Sequence, residues 1–257
     1  MNLCVCLKQV PVSGAEVMGE DGVLRRERGE RRMNPHDGAA LEAALRLRDA
    51  AGGRVTVLSM GPPAARVMLS EALTIGADEA VLITDPCFTG ADVLATAYAL
   101  ACAIRRIGPF DYILCGDFTT DGGTGHTAGE LAARLELPYL GAVTRLSEMT
   151  ATLRMERFEE DIRLDTAAVL SVLPDAYTLR LPGLSSRLLA TEKPLRRLDV
   201  LAIGADPLRC GIAGSATRVE KIVPAAVRFC EKAESMPSEE AAKRIWTAFA
   251  RGGGEAI

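Results

Sequence analysis

The chain has 257 residues, of which 25% are charged, and a formal net charge of −4. That length buries a full core, as one large domain or as one domain with an extension. The charge gives no basic field for DNA or RNA, and no uninterrupted apolar run approaches the ~18 residues of a membrane span, so neither nucleic-acid binding nor membrane insertion is expected.

Taken in order, the chain alternates strand and helix patterns. Residues 2–10 read as a strand closed by Pro11. The stretch 13–32 sets Arg25, Arg26, Arg28, Arg31 and Arg32 against Glu20, Asp21, Glu27 and Glu30. It reads as a solvated hairpin, with contact to a partner or a phosphate as the other reading. Asn34-Pro35-His36-Asp37 is a turn into a helix whose Leu41, Ala44, Leu45 and Leu47 recur at helical spacing until Gly52-Gly53. Residues 55–60 form a second strand, and Gly61-Pro62-Pro63 turns it into a helix holding Val67, Met68 and Leu73. A third strand at 80–84 precedes a helix over 92–107, with Leu94, Tyr98, Cys102 and Ile104 among its apolar positions, ended by Gly108-Pro109.

Tyr112-Ile113-Leu114-Cys115 is a short apolar run of the kind a buried parallel strand uses, broken by Gly116. A helix follows, with Ala128, Leu131, Ala132, Ala133 and Leu135 on its apolar side. The loop between them, Gly116-Asp117-Phe118-Thr119-Thr120-Asp121-Gly122-Gly123-Thr124-Gly125-His126-Thr127, lies between a strand's carboxyl end and a helix's amino end, where open α/β sheets bind ligands. Its glycines let backbone approach a bound group, its threonines and Asp121 offer hydrogen bonds, and free N–H groups at the helix start favour a phosphate. The spacing matches neither G-x-G-x-x-G nor the P-loop, so a nucleotide-phosphate loop and a plain strand-to-helix connection both stand at this point.

Beyond Pro138-Tyr139-Leu140 the pattern turns to β. Alternation at 151–158 and 162–168 reads as a meander with Glu159-Glu160-Asp161 at a hairpin tip, and 169–173 as a further buried strand. Residues 182–194 are loop-like, with Leu184, Leu188 and Leu189 isolated. An irregular tail follows Asp199, then a helix over 239–250 with Ile245, Trp246 and Phe249. The order predicts a doubly wound, mostly parallel α/β sheet with a β-hairpin addition over 1–181, and a recognition loop and extended C-terminal arm over 182–257. Such an arm cannot bury its own leucines and is expected to lie on another subunit.

The chain opens on a strand with no charged leader, which reads as a cytoplasmic protein. Its 7 cysteines are an odd number. Cys4, Cys6, Cys87, Cys102 and Cys115 lie in or beside apolar segments, as reduced thiols do, and no metal or disulfide framework is expected.

Several stretches carry a family resemblance: Val5-Cys6-Leu7-Lys8-Gln9-Val10-Pro11, Met33-Asn34-Pro35, Leu41-Glu42-Ala43-Ala44-Leu45-Arg46-Leu47, Val57-Leu58-Ser59-Met60-Gly61-Pro62-Pro63, Gly76-Ala77-Asp78-Glu79-Ala80, Asp111-Tyr112-Ile113-Leu114-Cys115-Gly116 and Gly214-Ser215-Ala216-Thr217-Arg218-Val219. Together they resemble the β subunit of electron transfer flavoprotein, closest in motif to the electron-bifurcating type. The resemblance implies an adenine-nucleotide-hydrolase-like fold and a heterodimer with an α subunit. It implies FAD held mostly by the α subunit near the interface, and AMP or a second FAD held by the β subunit. Electrons would come from a flavin dehydrogenase, such as an acyl-CoA dehydrogenase type, or from NADH, and pass to a redox partner. The competing class is a nucleotide-binding regulatory or stress-type protein of the same fold, which would have no need of the arm.

Carried over residue by residue, the resemblance puts Cys6, Asn34, Pro35, His36, Asp37, Met60 and the loop from Gly116 through Asp117, Phe118, Thr119, Thr120, Asp121, Gly122, Gly123, Thr124, Gly125 and His126 to Thr127 around the nucleotide. Asp92 and Thr96 join them through the stretch Gly90-Ala91-Asp92-Val93. The chain departs from the pattern at Asp117 and Phe118, where the family has a cation and Gln, at Gly123, where it has an acid, at His126, where it has Gln, and at Val93, where it has Thr. An acid in place of a cation would weaken anion binding, partly offset by the acid lost at Gly123. Leu184 falls at the family's anchoring leucine for dehydrogenases, or else covers the subunit's own sheet. His36 either hydrogen-bonds the α subunit's isoalloxazine or is a solvated first-turn residue; His126 contacts a phosphate or ribose, or caps the helix. No Ser or Cys nucleophile stands at a motif spacing with either, so no hydrolase triad and no catalytic residue are expected.

Overall fold

The computed structural model describes residues 1–12, 17–18, 24–25, 30–217 and 236–251. Its compact units are 1–220 and 221–257. The first unit begins with β1 (Asn2–Cys6), whose side chains alternate between two apolar layers: Leu3 and Val5 enter one, Cys4 and Cys6 the other. This is the period of a strand covered on both faces. The chain then forms short antiparallel pairs, β2 (Gln9–Pro11) with β5 (Arg31–Met33), and β3 (Val17–Met18) with β4 (Leu24–Arg25).

Helix α1 (Pro35–Ala51) starts where Pro35 sets a helical φ and stops at Gly52, whose φ is +75°. It is followed by β6 (Arg54–Met60), α2 (Arg66–Ile75), β7 (Glu79–Ile83) and α3 (Val93–Ile107). Asp92 caps α3 by accepting the Ala95 N–H at 3.0 Å. Next come β8 (Tyr112–Gly116), α4 (Thr127–Leu135), β9 (Tyr139–Leu146), β10 (Thr150–Arg154), β11 (Glu159–Arg163) and β12 (Ala168–Val172). Helix α5 (Leu184–Ala190), β13 (Leu195–Leu198) and the short α6 (Gly211–Gly214) complete this unit among the described residues.

Nine of these strands form one sheet in the order β11-β10-β9-β12-β8-β1-β6-β7-β13. From β9 to β13 the neighbours are parallel, and β10 and β11 add an antiparallel hairpin at one edge. Helices α1 and α2 cover one face through Leu41, Leu45, Met68 and Leu69, and α3 and α4 cover the other through Leu100, Ile104 and Leu131. Each such buried side chain contributes about 1.5–3 kcal/mol. This is the doubly wound α/β architecture expected from the alternating pattern.

Several expectations change. The strand anticipated at 2–10 is two strands, because β2 turns away to pair with β5. Glu159-Glu160-Asp161 is not a hairpin tip: it lies within β11, opposite Thr152, Leu153 and Arg154, and the turn falls at 155–158. β11 is a sheet edge with exposed side chains, so its acids need no burial. Residues 182–194, expected to be loop-like, contain α5, and β13 just after them supplies the far edge of the sheet. Val67, Leu94 and Ala133 are exposed rather than packed. Of the charged stretch at 13–32, Glu20, Asp21, Arg26, Glu27 and Arg28 lie outside the described residues.

The second unit's described residues, 236–251, form α7 (Ser238–Arg251) after two residues of coil, with Ile245 and Trp246 exposed; the side chain of Phe249 lies outside the described residues. Among the described residues no helix is long and apolar enough to cross a membrane, and no cluster of three or more His, Cys, Asp or Glu could hold a metal.

Candidate functional site

The winding of the sheet reverses between β1 and β8. The chain leaves β1 for α1 on one face and leaves β8 for α4 on the other, which opens a crevice at the strands' carboxyl ends. A cleft of about 470 Å³ lies there, within the roughly 300–1,000 Å³ of small-molecule and cofactor sites. Cys6, Cys115, Gly116 and Asp37 line it from the strand ends and α1. The loop after Gly116 lines it on one side, and Phe88, the start of α3 and Thr217 line it from elsewhere.

Four carboxylates belong to this region, and each is already engaged. Asp37, 4% exposed, accepts from the Lys8 backbone N–H at 2.6 Å and from Asn34 Nδ2 at 2.9 Å. Burial pushes its carboxyl up; the bonds from Asn34, Lys8 and the Gly116 N–H pull back, and the balance stands at about 7. Asp117 Oδ1 lies 2.7 Å from His36 Nδ1. Asp121 Oδ1 accepts from Lys8 Nζ at 2.7 Å and from the Gly122 N–H at 2.6 Å. Its burial would raise it, but the Lys8 ammonium, the Gly122 N–H and the Thr119 hydroxyl hold it below the usual carboxylate range.

Asp92 joins two segments. One oxygen caps α3, and the other accepts from the backbone N–H and hydroxyl of Thr217 at 3.0 and 3.1 Å. Burial opposes its charge, but the N–H groups of Ala95 and Thr217 with the Thr217 hydroxyl outweigh it and keep the carboxyl low.

Gly116 explains the close fit of the floor: a Cβ there would come within 2.5 Å of Asp37 Oδ1. Gly125 has φ +66°, a left-handed backbone that other residues rarely adopt. Cys6 and Cys115 are hydrogen-bonded to each other; that bond and burial push the Cys115 thiol well above its ordinary range, so it stays a small hydrophobe.

The structure brings Cys6, Asp37, Met60, Asp92, Thr96, Gly116, Asp117, Phe118, Thr119, Gly122, Thr124, Gly125 and Thr127 to the cleft lining. Asn34 is buried behind it and donates to Phe118 O at 2.8 Å as well as to Asp37. Pro35 opens α1, and His36 is half-buried, its ring 5.8 Å from that of Phe118. Thr120, Asp121, Gly123 and His126 belong to the same loop outside the lining. His126 precedes α4 and makes no side-chain cap. Leu184 is the first residue of α5, 77% exposed, on a helix packed beside α2.

Lys8, Leu7, Phe88, Leu100, Cys115 and Thr217 line the cleft without having been singled out from the sequence as site residues. Position gave a signal for Lys8, since a charge at the carboxyl end of the first strand falls where such sheets bind ligands. A cation beside the glycine loop and the free N–H groups at the start of the nine-residue α4 fit an anionic ligand such as a nucleotide phosphate.

Residues 21–202 match the family described as "Electron transfer flavoprotein domain". Protein FixA of Bradyrhizobium diazoefficiens is 37% identical over 253 residues, covering 93% of this chain and 88% of the relative. Electron transfer flavoprotein subunit beta of Clostridium acetobutylicum is 36% identical over 251 residues, covering 95% and 96%. Acryloyl-CoA reductase electron transfer subunit gamma of Anaerotignum propionicum is 34% identical over 233 residues, covering 86% and 87%. With a mostly parallel doubly wound sheet and similarity over nearly the whole length of these relatives, the chain belongs to the electron transfer flavoprotein family and is of its β-subunit type.

Proposed function

We propose that the chain works as the β half of a heterodimeric electron carrier, paired with an α subunit that holds most of an FAD, and that its own cleft holds a second FAD rather than AMP. The observation that carries the nucleotide reading is the cleft's composition, and the choice of FAD over AMP rests on the motif resemblance to the electron-bifurcating type. The glycine loop, Lys8 and the start of α4 offer a phosphate-binding end, while Met60, Phe88 and Leu100 offer apolar surface for a ring system. Flavin, when bound, supplies the electron transfer; the residues of this chain bind and orient it and shape its surroundings.

The donor is proposed to be a flavin dehydrogenase of acyl-CoA dehydrogenase type, or NADH if the carrier bifurcates electrons. A relative named as an acryloyl-CoA reductase electron transfer subunit supports partners that act on acyl-CoA thioesters. Exposed Leu184, Leu188 and Leu189 on α5 offer the apolar contact for such a partner. Acid extraction of the heterodimer co-expressed with its α-type partner, followed by chromatography of the supernatant, tests the reading. A flavin-to-heterodimer ratio near two supports it, and a ratio near one with AMP released overturns the second FAD.

A further inference from the structure

We propose that Lys8 is the phosphate-contacting cation of this cleft, held by Asp121 before the nucleotide binds and transferred to its phosphate on binding. The inference rests on the reading of the cleft as a nucleotide site and names the group that selects for the phosphate.

Among the described residues lining the cleft, Lys8 is the one cationic side chain. Its competitors for an anion's position are satisfied elsewhere: Asp117 by His36, Asp92 by the start of α3 and Thr217, and Asp37 by three donors. Lys8 Nζ stands over the glycine loop, where a Cβ on Gly122 would lie 3.6 Å from it. The Lys8 side chain is 44% exposed against 18% for Asp121, so the ammonium is the partner open to water, and a pair open on its cationic side exchanges more readily than a fully buried one. Asp121 keeps the Gly122 N–H and the Thr119 hydroxyl after losing Lys8, so the exchange does not strand a carboxylate. An ammonium on a flexible stem reaches from the carboxylate to a phosphate by rotation of its own side chain. The loop thereby recovers from β1's end the positive charge that its own sequence lacks at Asp117.

The alternative role is a staple that only holds the loop. Calorimetric titration of the heterodimer, freed of the cleft's nucleotide by dialysis, with AMP, the adenylate portion that FAD also carries, and with adenosine, which lacks the phosphate, separates the two. Lys8→Met should weaken AMP about tenfold or more and leave adenosine unchanged. Lys8→Arg should retain most AMP affinity, and Asp121→Asn should bind AMP as well as the parent or tighter. Equal losses for AMP and adenosine, or no loss in either, overturn the proposal; so does Asp121→Asn matching the loss in Lys8→Met. If Lys8→Met fails to assemble, Lys8→Gln, which keeps much of the stem, carries the same comparison. A parent heterodimer with no affinity for AMP, adenosine or FAD refutes the nucleotide reading itself, whereas tight binding indifferent to Lys8 refutes the Lys8 assignment alone.

Discussion

Arg180 closes on Glu42 from 138 positions away in sequence, with Nε 2.9 Å from Oε2 and Nη2 3.2 Å from Oε1. The Arg180 backbone N–H donates to the same carboxylate, and Arg46 Nε adds a bond at 2.8 Å. The Glu42 side chain is only 3% exposed. A planar fork on a buried carboxylate is the geometry in which an ion pair resists exchange with water. It ties the chain that leaves β12 back onto α1, and α1 begins with the residues that floor the cleft.

Arg180→Met should therefore destabilise the protein by about 3 kcal/mol, because it leaves a buried carboxylate with Arg46 as its remaining cation. The double variant Glu42→Met/Arg180→Met should recover part of that loss. Thermal unfolding of the heterodimer checks the order: parent most stable, double variant between, Arg180→Met lowest. Equal midpoints for parent and Arg180→Met contradict it.

Asp37 should make stability fall as pH rises toward neutrality. Its carboxyl stands at about 7 in the fold, against an ordinary 3.8. Between those values the folded chain binds more protons than the unfolded one, so this contribution is present below about pH 4 and lost as pH passes through about 7. The parent should lose stability between about pH 4 and 7, and level off above that, relative to Asp37→Asn, which does not titrate there. A difference between the two that stays flat over this window rules the assignment out.

Gly116→Ala should disturb the cleft, since its methyl group would come within 2.5 Å of Asp37 Oδ1. Gly122→Ala should be much milder, its Cβ meeting the nearest atom, Thr119 Oγ1, at an ordinary 3.5 Å. Gly125→Val should also release the nucleotide, through the strain of a branched residue at φ +66°. Nucleotide content of the purified heterodimers reads all three. The α-side FAD should be spared throughout.

Leu184→Ala should leave flavin content intact and slow electron exchange with a dehydrogenase partner. Leu184 begins an exposed helix on the face carrying α1 and α2, apart from the residues that line the cleft. Stopped-flow reduction by an acyl-CoA dehydrogenase type partner would show the effect, and equal rates in variant and parent would remove the anchor role.

Much of the fold was readable because periodicity is local. The apolar run of β1, the helical spacing of Leu41 and Leu45, and the glycine loop after Tyr112-Ile113-Leu114-Cys115 each declare themselves within a few residues. The acidic strand β11 and the Arg-containing strand β13 were not readable in the same way. Both are sheet edges, where exposed side chains leave strand formation dependent on a neighbour's backbone. Helix α5, with none of its residues buried, likewise presents no consistent apolar stripe.

At the site, the sequence by itself determined that a glycine-rich loop follows β8, and that Asp117 stands where the family resemblance implies a cation. Only the tertiary structure decided how the charges are arranged: Asp117 is taken by His36, 81 positions away, and Lys8 reaches Asp121 across 113 positions. The physical reason is the parallel sheet. It places the carboxyl ends of β1 and β8 side by side, so residues remote in the chain share one small volume, and their pairing depends on strand order rather than on anything their sequence neighbours reveal.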